Sequence, residues 1–361
     1  VPHPYEQLAE RALADELPDA EEMLWILDDP DVELLPLLDA AFVPRRKHFG
    51  RSVSIHVLNN VQNGLCEEDC GYCAQSSASQ APIRQYKMKS DEEIFAEAEI
   101  AAEAGATRYC MALSGRGPST RRAKRLADLV QSLKARYPIE VCLSVGILGD
   151  EQAALFAEAG LDRLNHNLNT SEEHYEKITS THSWADRVST LEAARRHGIE
   201  TCSGLIVGMG EASRDIVEVA FKLRELDTPS IPVNFLIPIE GNPVEEDGSL
   251  TPERCLRVLC AMRFANPRAE IRMAAGREGH LRGLQSLGLY PSNSLFVGGY
   301  LTTRGDPFEA TYAMIEDAGF EVLGRGDHAP PPSESRRSHR FELPGGGDLL
   351  RPEISAARTA E

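Results

Sequence analysis

The chain has no run of eighteen or more apolar residues, so it lacks the length of greasy helix that a bilayer span needs. Nothing near its first residues has the apolar core of a secretory leader. Positive charge is scarce: 38 Lys and Arg against 56 Asp and Glu leave a net charge of −18. Such an acidic surface disfavours nucleic acid and anionic membrane as partners. No repeat of fixed period appears beyond an alternation of strand-like and helix-like stretches. The glycines 204, 208 and 210 do not have the spacing of a dinucleotide-binding loop. These absences leave a cytoplasmic, soluble enzyme or carrier as the expectation. A composition of 42% hydrophobic and 26% charged residues fits that class.

What is present is more specific. Three of the eight cysteines fall within eight residues, in Cys66-Glu67-Glu68-Asp69-Cys70-Gly71-Tyr72-Cys73. A structural zinc site wants four ligands, usually as two close pairs. This loop offers three and no fourth nearby, a set that suits a four-iron cluster with one iron left open. Gly64, Gly71 and the polar residues between make the stretch a loop rather than a core segment. Four disulfides are a weaker reading of the eight cysteines, because in a reducing compartment cysteines are more often ligands or catalysts.

Residues 1–46 read as a helical extension. From 47 to 323, apolar β-branched runs near 52–59, 107–113, 140–146, 162–168, 200–208, 230–238, 269–276 and 294–300 alternate with amphipathic helices. Ser90 and Glu93 open one of those helices as a capping box. Eight strands alternating with helices predict a parallel α/β fold, a TIM-type (β/α)₈ barrel, with an open doubly wound sheet as the alternative. Residues 324–361, rich in proline and glycine, read as a disordered tail.

Four residues sit on expected strands where a barrel would turn them inward: Cys110, Cys142, Cys202 and Arg272. Singly each cysteine is a small buried hydrophobe. Together with a buried Arg, which needs an anionic partner, they point to a second metal centre. Asn165, Asn167 and Asn169 alternate along one predicted strand and so share a face. Their carboxamides both donate and accept, which suits a neutral polar ligand such as a urea. Asn234 is a further inward candidate. The glycine-rich stretch from Gly204 through Gly208 would let an adenine or ribose approach the backbone. Arg116 is free to bind a carboxylate or to be solvated. Cys255 and Cys260 read as packing residues, and His56 and His166 receive no role.

The cysteine spacing, with an aromatic residue before the last cysteine, resembles the radical S-adenosylmethionine (SAM) superfamily. The blocks at 63–76, 165–171, 202–211, 232–236 and 272–278 narrow the resemblance to the biotin synthases, over residues 45–322. It implies that Cys66, Cys70 and Cys73 hold a [4Fe-4S] cluster that works on SAM. It also implies that Cys110, Cys142, Cys202 and Arg272 hold an auxiliary cluster, [2Fe-2S] in the best-known members. By the same resemblance Tyr72, Asn169, Gly204, Ile206 and Gly208 belong to the SAM site, and Asn165, Asn167 and Asn234 to the dethiobiotin site. Position 169 is often Asp in that family; here it is Asn. The implied activity is sulfur insertion into dethiobiotin, with a flavodoxin or ferredoxin as reductant and a homodimer as the working form. Two alternatives stay open: a hydrogenase-maturation or thiazole-forming radical SAM enzyme, and a non-catalytic iron–sulfur carrier.

Overall fold

The computed structural model describes residues 4–246 and 248–324. The tail expected from 324 onward therefore lies, but for residue 324, outside the described residues. Three helices come first: α1 (Pro4–Leu13), α2 (Ala20–Asp28) and α3 (Leu34–Phe49). Asp19 and Glu22 close a capping box at the start of α2. The helical extension thus reaches Phe49, slightly past the expected 46. Both α2 and α3 lie on the helix Pro252–Ala265. Arg257 of that helix reaches back to the carbonyls of Asp29 (2.7 Å) and Val32 (3.0 Å), which fastens the extension to the barrel.

The strands are β1 (Ser52–Gln62), β2 (Arg108–Leu113), β3 (Glu140–Ser144), β4 (Arg163–Asn165), β5 (Glu200–Cys202), β6 (Leu205–Val207), β7 (Ser230–Phe235), β8 (Glu270–Met273), β9 (Ser294–Val297) and β10 (Glu321–Val322). All pairings among them are parallel, in the order β1-β2-β3-β4-β5-β7-β8-β9. β1 also pairs with β9, so the sheet closes on itself. This is the expected (β/α)₈ barrel; β10 only extends the outer edge of β1. β2 is buried along its whole length, as a strand with side chains in the barrel on one face and under helices on the other must be. The outer helices follow their patterns: Thr120–Arg136 turns Leu126, Leu129, Val130 and Leu133 to the sheet. Cys255 and Cys260 are fully buried packing residues of the helix Pro252–Ala265.

Two expected strands differ. The run 200–208 is broken into β5, paired with β7 at Cys202, and β6, paired with β7 from Leu205. The break faces Pro232, which has no N–H to give to the ladder there. Opposite it stands Gly204, where a Cβ would lie 1.8 Å from the Pro232 carbonyl oxygen. The asparagine stretch also leaves the strand early, since β4 ends at Asn165. Asn169 touches β6 only through a bridge to Leu205, with a left-handed φ of 71° that Asn tolerates better than most residues.

Candidate active site

A cavity of about 350 Å³ opens at the C-terminal ends of the strands. The loop cysteines Cys66, Cys70 and Cys73 line its upper wall, and Cys110 lies in the same cavity deeper down. All eight cysteines are free thiols.

The loop is held by hydrogen bonds that do not use the cysteine sulfurs. Gly71 N donates to Ile178 O (2.8 Å), and Ser77 N to Glu68 O (2.9 Å). Asp69 accepts from Thr179 Oγ1 (2.6 Å), Ser180 N (2.9 Å) and Thr181 N (3.2 Å). Partial burial pushes the Asp69 carboxyl up, but these donors outweigh it and hold the group below the usual carboxylate range. Glu68 accepts from Thr181 Oγ1 (2.7 Å), His182 Nδ1 and Arg116 Nη1 (3.2 Å). Arg116 therefore does bind a carboxylate, one of this chain's own. On its far side His182 accepts from Arg187 (2.9 Å), which fixes its tautomer with the proton on Nδ1.

Glu68 and Asp69, two of the three acidic residues between the first two cysteines, are thus committed to protein partners. Burial is the main influence on the thiols: it pushes Cys66 up, against backbone donors at Glu68 and Gly115, and Cys73 up to about 12, against backbone donors at Gln75 and Ser76. Such thiols become thiolates when a metal replaces the proton. Among the described residues no three His, Cys, Asp or Glu side chains draw together tightly enough for a single ion. A four-iron cube is wider than one ion, and Cys66, Cys70 and Cys73 all line the one cavity where three thiolates could hold it.

Deeper in the barrel, Cys110 and Cys142 stand opposite each other on β2 and β3. Cys142 hydrogen-bonds to Cys110; that bond, against the effect of burial, holds the Cys110 thiol well below its ordinary value and raises Cys142. Cys202 accepts from Arg272 Nη1 (3.5 Å) and from Asn165 Nδ2 (3.3 Å). Arg272 is fully buried, with Nη2 on Ser230 Oγ (2.8 Å) and on Glu270. Its Nε has no partner. A buried guanidinium with an unmet N–H beside three thiols is a donor set that an anionic iron–sulfur cluster would complete. The residues present fit both clusters.

Beneath this set runs a layer of charge. Arg108 donates to Glu140 Oε2 (2.8 Å) and Glu270 Oε1 (3.2 Å), and meets His56 Nδ1 at 3.2 Å. Burial works against the Glu270 carboxylate, but His56, Arg272 and Arg108 outweigh it and hold the group ionised. Sequence reasoning assigned His56 no role and passed over Arg108 and Glu270. Part of the signal was there: Arg108 and Glu270 open β2 and β8, and Arg108 stands in register with His56, which lies inside β1.

The polar wall differs from the expected row of asparagines. Asn165, Asn167 and Asn169 all line the cavity, and so does His166 between them, because the segment has left the strand. Asn167 Oδ1 accepts from Gly204 N (3.1 Å), so it supplies the bond that the broken ladder does not. Asn234 donates to Leu205 O (3.0 Å) and accepts from Ala275 N (3.2 Å). Each of these two amides still has an N–H to offer a ligand. Asn169 Nδ2 donates to the Tyr72 hydroxyl (2.6 Å), with Arg187 Nη2 at 3.5 Å from the same oxygen.

Tyr72 and Ile206 line the cavity; Gly204 and Gly208 do not. Gly204 answers to Pro232, as above. The Cβ that Gly208 lacks would lie 2.5 Å from Leu250, and its φ is +99°. Glu211 caps that turn, accepting from Gly208 N (2.8 Å) and Met209 N (2.7 Å). Both glycines are needed for the packing of the chain itself.

Comparison with known proteins agrees with this arrangement. Residues 62–223 match the radical SAM superfamily, and 232–321 the biotin and thiamin synthesis associated domain. The chain is 52% identical to the biotin synthase of Acaryochloris marina over 332 residues, 92% of this chain and 95% of that one. It is 55% identical to the biotin synthase of Magnetococcus marinus over 315 residues, 87% of this chain and 98% of the relative. Among solved structures, methylornithine synthase superposes with a TM-score of 0.76 at 19% identity, covering 87% of this chain and 97% of that one. That likeness concerns the fold alone.

Proposed function

Because the chain belongs to the biotin synthase family of the radical SAM superfamily, we propose that its cysteine loop and its barrel interior divide one reaction between them. It is a sulfurtransferase that inserts sulfur into dethiobiotin to form biotin, with a [4Fe-4S] cluster, SAM and an auxiliary iron–sulfur cluster as cofactors. Cys66, Cys70 and Cys73 hold the four-iron cluster; Cys110, Cys142, Cys202 and Arg272 hold the auxiliary one. Bound there, the first cluster with SAM supplies the hydrogen-abstracting radical chemistry, and the second supplies the sulfur.

The protein's share is placement. Tyr72, Asn169 and Ile206 form the SAM-facing wall beside the loop. Asn165, Asn167 and Asn234 face the ureido ring of dethiobiotin and decide which carbons stand toward each cluster. Misplacement by about 1 Å costs on the order of 10²-fold in rate, so rigid seats matter. Arg272, charged and fully buried, offsets the negative charge of the auxiliary site. The barrel wall keeps water from a reactive intermediate. The described helical extension, residues 4–49, precedes the catalytic barrel, which opens with β1 at Ser52. A flavodoxin or ferredoxin is the reductant, a homodimer the working form and the cytoplasm the location; no helix among the described residues is long and apolar enough to cross a membrane.

The observation that carries this division is a single cavity lined by the loop cysteines at one level and by Cys110 at another. A hydrogenase-maturation, thiazole-forming or carrier reading gives no reason for Cys142 and Cys202 to gather beside Cys110. Anaerobic reconstitution followed by Mössbauer spectroscopy and dethiobiotin turnover tests it. Cys70→Ala is expected to abolish SAM cleavage, and Cys142→Ala to spare SAM cleavage while ending biotin formation. Methionine release at the normal rate from Cys70→Ala, or full biotin yield from Cys142→Ala, overturns the division.

A further inference from the structure

The chain is acidic as a whole, but its acids are unevenly placed. Between Asp69 and Asp91, and again between Glu103 and Asp128, there is not one Asp or Glu. Both stretches meet beside the cysteine loop. β1 runs out at Gln62, and the next residue, Asn63, pairs through its backbone with Tyr86. Gln62 donates to Ser114 O (2.9 Å) and accepts from Arg122. These bonds bring Arg84 and Lys87 of the first stretch to the same strand end as Arg121 and Lys124 of the second. Arg121 and Lys124 are three apart at the start of the helix Thr120–Arg136 and so share a face. All four bases are exposed. Their neighbours Lys89 and Arg125 are paired, with Glu97 (2.6 Å) and Asp91 (3.3 Å); among the described residues the four themselves are in no ion pair. The strand end leads straight into the loop: Leu65 is 56% exposed, and Cys66 after it is only partly buried.

We propose that this basic rim is the docking surface of an acidic electron-carrier protein that reduces the loop cluster. It rests on the function proposed above, in which Cys66, Cys70 and Cys73 hold that cluster and a carrier protein is the reductant. In the docked pair the reduced carrier gives up one electron and the cluster takes it; no bond forms or breaks. A chain of net charge −18 repels an acidic partner from most of its surface, so bases gathered at one point steer the encounter there. Of the loop's own acids, Glu68 and Asp69 are tied to protein donors, which leaves the exposed Glu67 for the four bases to outweigh. Leu65 adds an apolar contact inside a charged rim, the usual arrangement of a protein interface.

The test uses the full chain, reconstituted anaerobically, with an acidic flavodoxin as the probe. Arg121→Glu and Lys124→Glu each reverse one charge on the rim. Arg195→Glu changes the net charge equally and is the control: it is exposed at the opposite end of the barrel, where its helix runs into β5. Calorimetry reads the affinity for oxidised flavodoxin, and absorbance reads the rate at which reduced flavodoxin, or dithionite, reduces the cluster. Each rim variant is expected to lose on the order of tenfold in affinity and in flavodoxin-driven rate at low ionic strength. Arg195→Glu stays near the parent, and the dithionite-driven rate is the same in all. The gap closes at about 1 M salt, where the Debye length is about 3 Å. Rim variants that match the parent, or that fall no further than Arg195→Glu, overturn the surface and leave the carrier in place. If dithionite reduces the parent while neither flavodoxin nor ferredoxin does, the carrier itself falls and the surface with it. Single-stranded RNA that binds the rim in preference to flavodoxin also overturns the proposal.

Discussion

Asn167 carries two duties that two substitutions can pull apart. Its Oδ1 accepts from Gly204 N at the break in the fifth barrel strand, and its amide N–H faces the cavity. Asn167→Ala removes both. A buried donor left without a partner costs about 1–3 kcal/mol, and the same range applies to a ureido oxygen left unpaired in the bound complex. Stability and affinity should therefore both fall, the second by roughly 5- to 150-fold at about 1.4 kcal/mol per decade. Asn167→Asp keeps an acceptor for Gly204 and loses the N–H. It is expected to hold most of the stability while losing the affinity, with an added penalty for a charge in a dry site. Equilibrium dialysis of dethiobiotin against the anaerobically reconstituted protein reads the affinity, and chemical unfolding reads the stability. If the Asp variant binds dethiobiotin as the parent does, Asn167 only braces the strand and its placement in the substrate site is wrong.

Three further outcomes follow from the same geometry. Asn169→Asp turns the bond with Tyr72 around, so that the hydroxyl donates to a carboxylate; the KM for SAM should change several-fold with the KM for dethiobiotin unmoved, and equal movement of both would count against the assignment of Asn169 to the SAM wall. Gly204→Ala has nowhere to put its methyl except into the Pro232 carbonyl, so a loss of at least about 1–3 kcal/mol on unfolding is expected; a neutral result would mean that β6 shifts freely. His166 is buried, and burial followed by the charge of Arg187 holds its pKa well below the usual value. Its folded pKa is thus lower than its unfolded one, so protonation favours the unfolded chain, and stability is lost as pH falls below about 6.5, with a limiting slope of about 1.4 kcal/mol per pH unit. His166→Gln should flatten that acid limb in unfolding curves; an unaltered limb would assign the acid sensitivity elsewhere.

The barrel was legible because each strand is a short β-branched run between amphipathic helices, and the three-cysteine loop because its spacing has few uses. Cys110, Cys142, Cys202 and Arg272 could be gathered from strand parity alone. The asparagine row was misjudged for a physical reason: parity assumes an unbroken strand, and Pro232 across the sheet interrupts the ladder that would have kept β5 and β6 continuous. The packing need of Gly204 and Gly208 against Pro232 and Leu250 comes from contacts distant in the chain, which no local pattern shows. The hydroxyl partners of Glu68 and Asp69 lie more than a hundred residues along the chain and Arg116 lies 48 along it, all beyond the reach of local pattern. The floor of Arg108, Glu270 and His56 escaped notice because these residues stand on three strands far apart along the chain and become neighbours only once a barrel closes.

The fastening of Glu68 and Asp69 to the 179–182 segment bears on how the enzyme survives air. Oxygen attacks exposed iron–sulfur centres, and a ligand loop that relied on its metal for shape would collapse with each such loss. Here the clamp is made of carboxylates, hydroxyls and amides, none of which leaves with the iron. The shape of the loop therefore does not depend on the metal it is to hold.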